Sequence, residues 1–246
     1  MPGDGARAVV SGRVATQAVD RAITAEQVAF AAKDEGNTAA GWAALAANEY
    51  SFLGKAALET LPGGVLIHDG KLDAARLEAA RSTLGNVTAR LARAYGVMPA
   101  DAWAVVASVS SAVRSTYHGD VTAGRMMSLR FNDAPPKDPT AAIRQVRWFV
   151  SHEVTHWWDT GVLRTDMDRP WIHEGHADWM AGLLMLDAGQ TDTATWRADM
   201  DTALNNCQFA RRDRPAATLP SGFNRDDDPY ACGHVTWLLA QSQRPR

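Results

Sequence analysis

The sequence predicts an α+β fold in which a small mixed sheet is followed by a mainly α-helical lobe, with a histidine-bearing helix between the two. Three observations lead there. Segments of strand character, in "ALETLPGGVLIHDG", "AWAVVASVSS" and "GRMMSLRFN", are confined to the chain before residue 133. Apolar positions recur at helical spacing from Lys71 to Gly96 and through most of residues 138–241. Glycine, proline and aspartate stand where these segments join, as turns and helix ends require.

Residues 1–48 are Ala-rich and weakly patterned, and "ITAEQVAFAAKDEG" has helical apolar spacing with Gly36 as its stop. Residues 1–60 are therefore expected to be a poorly defined N-terminal segment, the remnant of a β-containing module, and residues 61–246 one further domain. Pro62-Gly63-Gly64 reads as a turn leading into a short strand. Leu72, Leu77, Leu84, Val87, Leu91 and Ala94 then form a helical stripe that Gly96 ends. "AWAVVASVSS" reads as a buried strand and "GRMMSLRFN" as a second, alternating Met126, Ser128 and Arg130 against Met127, Leu129 and Phe131. After a turn at Asp133 to Pro136, Asp138 is placed to cap a helix with Pro139 in its first turn, the stripe Ile143, Val146, Phe149 and Val150, and Gly161 as its end. Three more helices are predicted: Trp171 to Leu186 before Gly189, Thr193 to about Cys207, and Pro229 to Gln241 after "RDDD".

Composition narrows the partners. The 246 residues carry 25 Lys plus Arg against 28 Asp plus Glu, interspersed rather than in blocks, so neither a nucleic acid nor an anionic membrane surface is expected to bind. The first residues lack the apolar run of a secretory signal and no apolar stretch reaches spanning length, so the chain as written reads as soluble and not inserted in a membrane. It is cytoplasmic as written, or exported if a leader has been removed. Cys207 and Cys232 are a disulfide pair or two reduced thiols according to compartment. Oligomeric state is not written in the pattern.

Chemistry concentrates in "VSHEVTHWWDTG". Four residues on a helix turn slightly more than once, so His152 and His156 project from one face and can share a metal ion. Glu153 lies one step round, placed as a general base rather than a ligand. A catalytic zinc needs a third protein ligand, and "RPWIHEGHADWMAG" supplies Glu174 near the start of the next predicted helix, with 17 residues between it and His156. Asp178 follows on the same helical face, placed to hydrogen-bond the outer nitrogen of a metal-bound histidine.

These motifs resemble those of the gluzincins, the zinc metallopeptidases typified by thermolysin and aminopeptidase N, in which H-E-x-x-H on one helix is completed by a Glu on the following one. "PWIHEGHADWM" is similar to the Trp-x-x-Glu-Gly-x-Ala segment of the aminopeptidase N and glycyl aminopeptidase branches, and the Glu174 to Asp178 step is similar to thermolysin. The resemblance implies a thermolysin-like zincin domain over residues 61–246, zinc (Zn2+) held by His152, His156 and Glu174, and Glu153 as general base. "DDDPYACGHVTWLLA" matches a Pro-Tyr-x-x-Gly segment whose tyrosine, here Tyr230, donates to the tetrahedral oxyanion, while His234 competes for that task as in thermolysin-like enzymes. The Gly-x-Met-Glu-Asn segment that holds a substrate amine is not reproduced: "TAGRMMSLRFN" has Arg125, Met126 and Met127 with no acid following, so Arg125 and Met126 become cleft candidates without amine recognition.

The remaining polar and aromatic residues have plainer expectations. His176 is a candidate for the cleft wall and His173 a polar neighbour; His68 and His118 read as surface or turn residues. Trp148, Trp157, Trp158, Trp171 and Trp179 are expected to pack the two motif helices, with Trp157 or Trp158 left to wall the cleft. The expected activity is zinc-dependent hydrolysis of peptide bonds in a peptide or protein substrate, held by strand addition to an edge strand around Met126 to Phe131. Two alternatives are a catalytically weak or inactive zincin-fold binding domain and a zinc hydrolase of non-peptide amides. Substrate sequence preference and exo versus endo cleavage are not encoded in any of these spacings.

Overall fold

Short β-rich segments in the first half of the chain pair into a mixed five-stranded sheet, and a separate group of helices is built from the second half. The structure is a computed structural model and describes residues 8–11, 50–53, 57–61, 64–68, 70–98, 103–109, 117–122, 126–132, 134–163, 169–212 and 228–243. The helix expected over residues 23–36 and Arg125 lie outside the described residues. Two compact units are formed, Met1–Leu77 with Ala100–Pro136 and Glu78–Pro99 with Lys137–Arg246.

In the first unit, β1 (Ala8–Ser11) and β2 (Tyr50–Leu53) make a two-stranded antiparallel sheet. β3 (Ala57–Leu61) and β4 (Gly64–His68) form a hairpin in which Leu61 pairs with Gly64, so the boundary expected at residue 60 falls inside a hairpin. Parallel neighbours cannot be joined by a tight turn. The chain accordingly passes through α1 (Ala74–Tyr95) between β4 and its parallel partner β5 (Trp103–Val109). β7 (Met126–Asn132) lies parallel to β5, and β6 (Tyr117–Thr122) runs antiparallel along β7 at the sheet edge, giving the order β3-β4-β5-β7-β6.

This corrects the expected edge strand. The Met126 to Phe131 segment is interior, laddered on both sides, with Met127, Leu129, Phe131 and even Ser128 buried. Among the described strands the edges are β3 and β6; it is β6 that lies outside β7, and its Gly- and Asp-containing sequence "YHGDVT", which carries His118, lacks the apolar alternation by which strands are recognised. At the end of β7, the buried Arg76 guanidinium bonds Asp73 and donates to the carbonyls of Asn132 and Ala134 at 2.8 and 3.2 Å, tying the strand end to the loop before α1.

In the second unit α1 ends at Gly96, which takes the left-handed φ of +70° and donates its amide to Ala92. α2 (Pro139–Trp158) starts as the sequence dictates, the Asp138 carboxylate accepting the Ala141 amide. It does not stop at Gly161: the helix widens into a π-turn over Asp159–Leu163 that contains this glycine. α3 (Pro170–Asp187), α4 (Thr193–Arg211) and α5 (Asp228–Ser242) follow, α4 a turn longer than its spacing suggests. No helix among the described residues is long and apolar enough to cross a membrane.

α2 is buried on every side over its last turns, from Phe149 to Asp159. Trp157 and Trp158 are therefore both inside, at 1% and 0% exposure, and neither is left for a cleft wall. A half-buried helix could not accommodate two adjacent indoles; this one can because it is enclosed, and Trp158 Nε1 donates to the Val97 carbonyl after α1. Cys207 on α4 and Cys232 on α5 form a disulfide with Cα atoms 4.8 Å apart, which resolves the two readings left open by the sequence.

Candidate metal centre

Each prospective ligand is placed by a local helical rule. One turn of α2 stacks His152 under His156, their rings 4.8 Å apart and edge-on at 85°. Pro170, with no amide to satisfy, occupies the first position of α3, so Glu174 stands within the early turns of that helix. Three atoms result: Nε2 of His152 and Nε2 of His156 are 3.1 Å apart, and Oε2 of Glu174 lies 3.2 and 3.3 Å from them. Four ligands around tetrahedral zinc at roughly 2.0–2.1 Å stand about 3.3 Å from one another. The three donors thus already have the mutual spacing that one such ion needs, and they form a group able to hold a metal.

Both outer nitrogens face a carboxylate from behind, but only that of His152 is hydrogen-bonded. Nδ1 of His152 donates to Asp178 at 2.7 Å, which turns Nε2 towards the other two prospective ligands. On the opposite side Asp159, wholly buried, places Oδ2 3.6 Å from Nδ1 of His156 and accepts a 2.7 Å hydrogen bond from Nδ1 of His176 through Oδ1. Asp159 is not among the site residues that the sequence points to. The His156-x-x-Asp159 spacing is visible there, but its significance depends on His176 arriving from another helix. His176 itself is not on a cleft wall: it is buried, with Trp179 and Trp237 ring centroids at 5.7 and 4.8 Å. His173 is also drawn in, its Nε2 3.5 Å from the second carboxylate oxygen of Glu174.

Electrostatics follow from crowding these groups in a dry place. Burial raises the Glu174 carboxyl, but hydrogen bonds from His152, His156 and His173 overwhelm it and hold the group far below the usual carboxylate range. Burial alone would lower both motif imidazoles; Asp178 and Glu174 instead push His152 well above its ordinary value, and Asp159 and Glu174 bring His156 to about 9. Glu153, 6% exposed, adds its negative charge to both. A group of carboxylates that makes two buried imidazoles this avid for a proton is equally suited to a divalent cation.

Tyr230 opens onto the same group. It lies in the first turn of α5, 41% exposed, with its ring 6.2 Å from that of His152 and inclined by 28°. His234, one turn further, is buried with Nε2 against the Met200 sulfur at 3.1 Å on α4. Burial and the neighbouring His152 lower its pKa against the pull of Asp178 and Asp199. Of the two donors that the sequence offers, Tyr230 is exposed with its ring beside His152, whereas His234 is buried against Met200. Met126 begins β7 in the other unit.

The approach of α5 depends on two glycines. A Cβ on Gly175 would lie 2.3 Å from the Gly233 carbonyl carbon and 2.8 Å from the His234 nitrogen, and one on Gly233 would lie 2.4 Å from the Trp171 carbonyl oxygen. The helices cross with backbones in contact, and Trp237 Nε1 bonds the Ile172 carbonyl at 3.0 Å beside the crossing.

In fold, the chain resembles an aminopeptidase N family protein. That protein, from Idiomarina loihiensis, is 15% identical with a TM-score of 0.56, matching 80% of this chain and 38% of its own. The chain thus spans about two-fifths of the length of that neighbour. No protein-family model matches the sequence, and no curated protein does.

Proposed function

We propose that the chain is a zinc-dependent metallopeptidase domain of the thermolysin-like, gluzincin type, holding zinc through His152, His156 and Glu174. The observation that carries this reading is the near-equilateral triangle of donor atoms, 3.1 to 3.3 Å on a side, with a buried glutamate next in sequence to one ligand. Two imidazoles and one carboxylate leave a coordination position open, the composition of a catalytic rather than a structural zinc site. Zinc in this setting supplies Lewis-acid polarisation of a carbonyl and lowers the pKa of a water molecule.

The chain's own groups do the rest. Glu153 takes a proton from the attacking water and delivers it to the leaving amine, two transfers that one carboxylate can perform in turn. Tyr230 donates its phenol to the oxygen that gains charge as the carbonyl becomes tetrahedral. Asp178 keeps His152 in the tautomer that leaves Nε2 unprotonated. The absence of an acid after Met127 argues against selection for a free amino terminus, so peptide hydrolysis is proposed without aminopeptidase specificity.

The experiment is zinc analysis joined to cleavage of a quenched mixed-peptide library. One zinc per chain, chelator-sensitive cleavage, and loss of cleavage with retention of metal in Glu153→Gln support the reading. Zinc bound without cleavage moves the assignment to a binding domain or to a hydrolase of non-peptide amides, and no zinc in the wild type overturns it.

A further inference from the structure

We propose that His176 and Asp159 form a buried relay that positions His156 from behind, so that one motif histidine is held by a carboxylate that is itself held by a third histidine. This rests on the metal-centre reading above and adds two residues to it.

The placement of Asp159 calls for an explanation. It stands where α2 widens into the π-turn, and it has no exposure to water. A carboxylate in such a place is stable only beside proton donors. Two imidazoles face it: His176 Nδ1 donates to Oδ1 at 2.7 Å, and His156 presents Nδ1 to Oδ2 at 3.6 Å, within ion-pair reach though longer than a hydrogen bond. His176 is in turn fixed by neighbours that are themselves tied down. Its ring lies against Trp179 and Trp237, whose indole nitrogens bond the Gln241 side chain at 3.2 Å and the Ile172 carbonyl at 3.0 Å.

The two metal-binding histidines are thereby supported in opposite senses. α3 sends the carboxylate of Asp178 to the histidine of α2; α2 sends the carboxylate of Asp159 to a histidine of α3. The crossed contacts, both 2.7 Å, hold the two helices together on either side of the ligands. An acceptor behind a ligating imidazole fixes its orientation and raises its basicity. His176, whose Nδ1 bonds Asp159 rather than any corner of the ligand triangle, is on this reading a positioning residue acting through that carboxylate.

The test compares wild type, His176→Asn, His176→Phe, Asp159→Ala and the double variant Asp159→Ala/His176→Phe. Asparagine can reproduce the Nδ1 donor; phenylalanine keeps the ring and removes it. Zinc affinity is measured by chelator competition and ligand geometry by the visible spectrum of the cobalt-substituted protein, with thermal melts alongside. Asp159→Ala is expected to weaken zinc about 10–100-fold and His176→Phe about tenfold, both with altered cobalt spectra. His176→Asn is expected to stay within about threefold of wild type, and His176→Phe to add nothing in the Asp159→Ala background. If His176→Asn binds as weakly as His176→Phe, if the two losses add in full, or if all variants bind like wild type, the relay is overturned. Should His176→Phe not fold, the Asn variant and Asp159→Ala decide the matter. A wild type that binds no zinc removes the metal reading and the relay together, whereas unchanged variants of a zinc-binding wild type remove the relay alone.

Discussion

Replacing Gly175 by alanine tests whether the contact of α3 with α5 governs the site. The new Cβ would lie 2.3 and 2.4 Å from two backbone carbons of Gly233 and 2.8 Å from the His234 nitrogen. Carbon atoms settle at about 3.5 Å, so the helices must part by roughly 1 Å. All three obstacles are backbone, so no side-chain rotation relieves the clash, and the neighbouring Cys207–Cys232 bridge ties α5 to α4 against that movement. Overpacking of this kind costs about 1–3 kcal/mol, and the upper half of that range applies here. For a chain of this size the melting temperature should fall by about 4–10 °C. Urea unfolding of Gly175→Ala beside Gly85→Ala measures it directly. Gly85 lies within α1 with nothing within 4 Å of the place a methyl group would take, so alanine there should instead stabilise by about 0.5–1 kcal/mol. In the proposed peptidase, displacing the Tyr230 helix by about 1 Å should lower kcat on the order of a hundredfold. Zinc affinity should change far less, since the ligands lie on α2 and α3. A Gly175→Ala protein as stable and active as wild type would refute the argument.

Other consequences are equally direct. The Cys207–Cys232 bridge closes a 25-residue separation, and replacing both cysteines by serine should cost about 3.5 kcal/mol by loop-closure entropy, read from urea midpoints; intact protein should resist thiol alkylation until reduced. Arg76→Ala strips donors from two carbonyls at the end of β7 and should cost about 1–3 kcal/mol, with the loss seen as faster amide exchange in β7. The metal-free protein should be sensitive to alkaline pH. His156 has a folded value near 9 against an ordinary value of about 6.5, so its stabilising contribution is complete below about pH 6.5 and disappears as pH rises through about 9. Because a metal at the proposed centre must displace that proton, zinc binding there should release protons and strengthen with rising pH up to about 9; calorimetry in buffers of differing ionisation enthalpy checks the release.

The helices are legible because their information is local. Apolar spacing, Asp138 as cap and Gly96 and Gly189 in the left-handed region mark α1, α2 and α3 to within a few residues. The two motif histidines can be assigned to one helical face, and Glu174 and Asp178 to the next helix, for the same reason. What escapes is information carried between segments. β3 and β6 have weak strand patterns and owe their conformation to hydrogen-bonded partners, so "YHGDVT" gives no strand signal and its neighbour reads as the edge. The burial of both Trp157 and Trp158 depends on partners from other segments, such as the Val97 carbonyl, that the spacing along α2 does not name. Asp159 is likewise meaningful only with His176 in place, and the widening of the helix past Gly161 overrides a glycine that reads as a stop.

The three prospective ligands come from two consecutive helices, with 22 residues from His152 to Glu174, whereas Tyr230 is delivered by a helix two further along the chain. In a growing or refolding polypeptide the short loop closes first. In the proposed metal centre all three donor atoms would be in place once α2 docks on α3, before α5 arrives at the Gly175–Gly233 crossing with the Trp237 ring that buttresses His176. Between those events the domain would carry its ion without its oxyanion donor: loaded, but dormant. In the proposed peptidase, metal content alone is then a poor gauge of competent protein, and the step that would complete the catalytic site is the seating of one late helix secured by a disulfide.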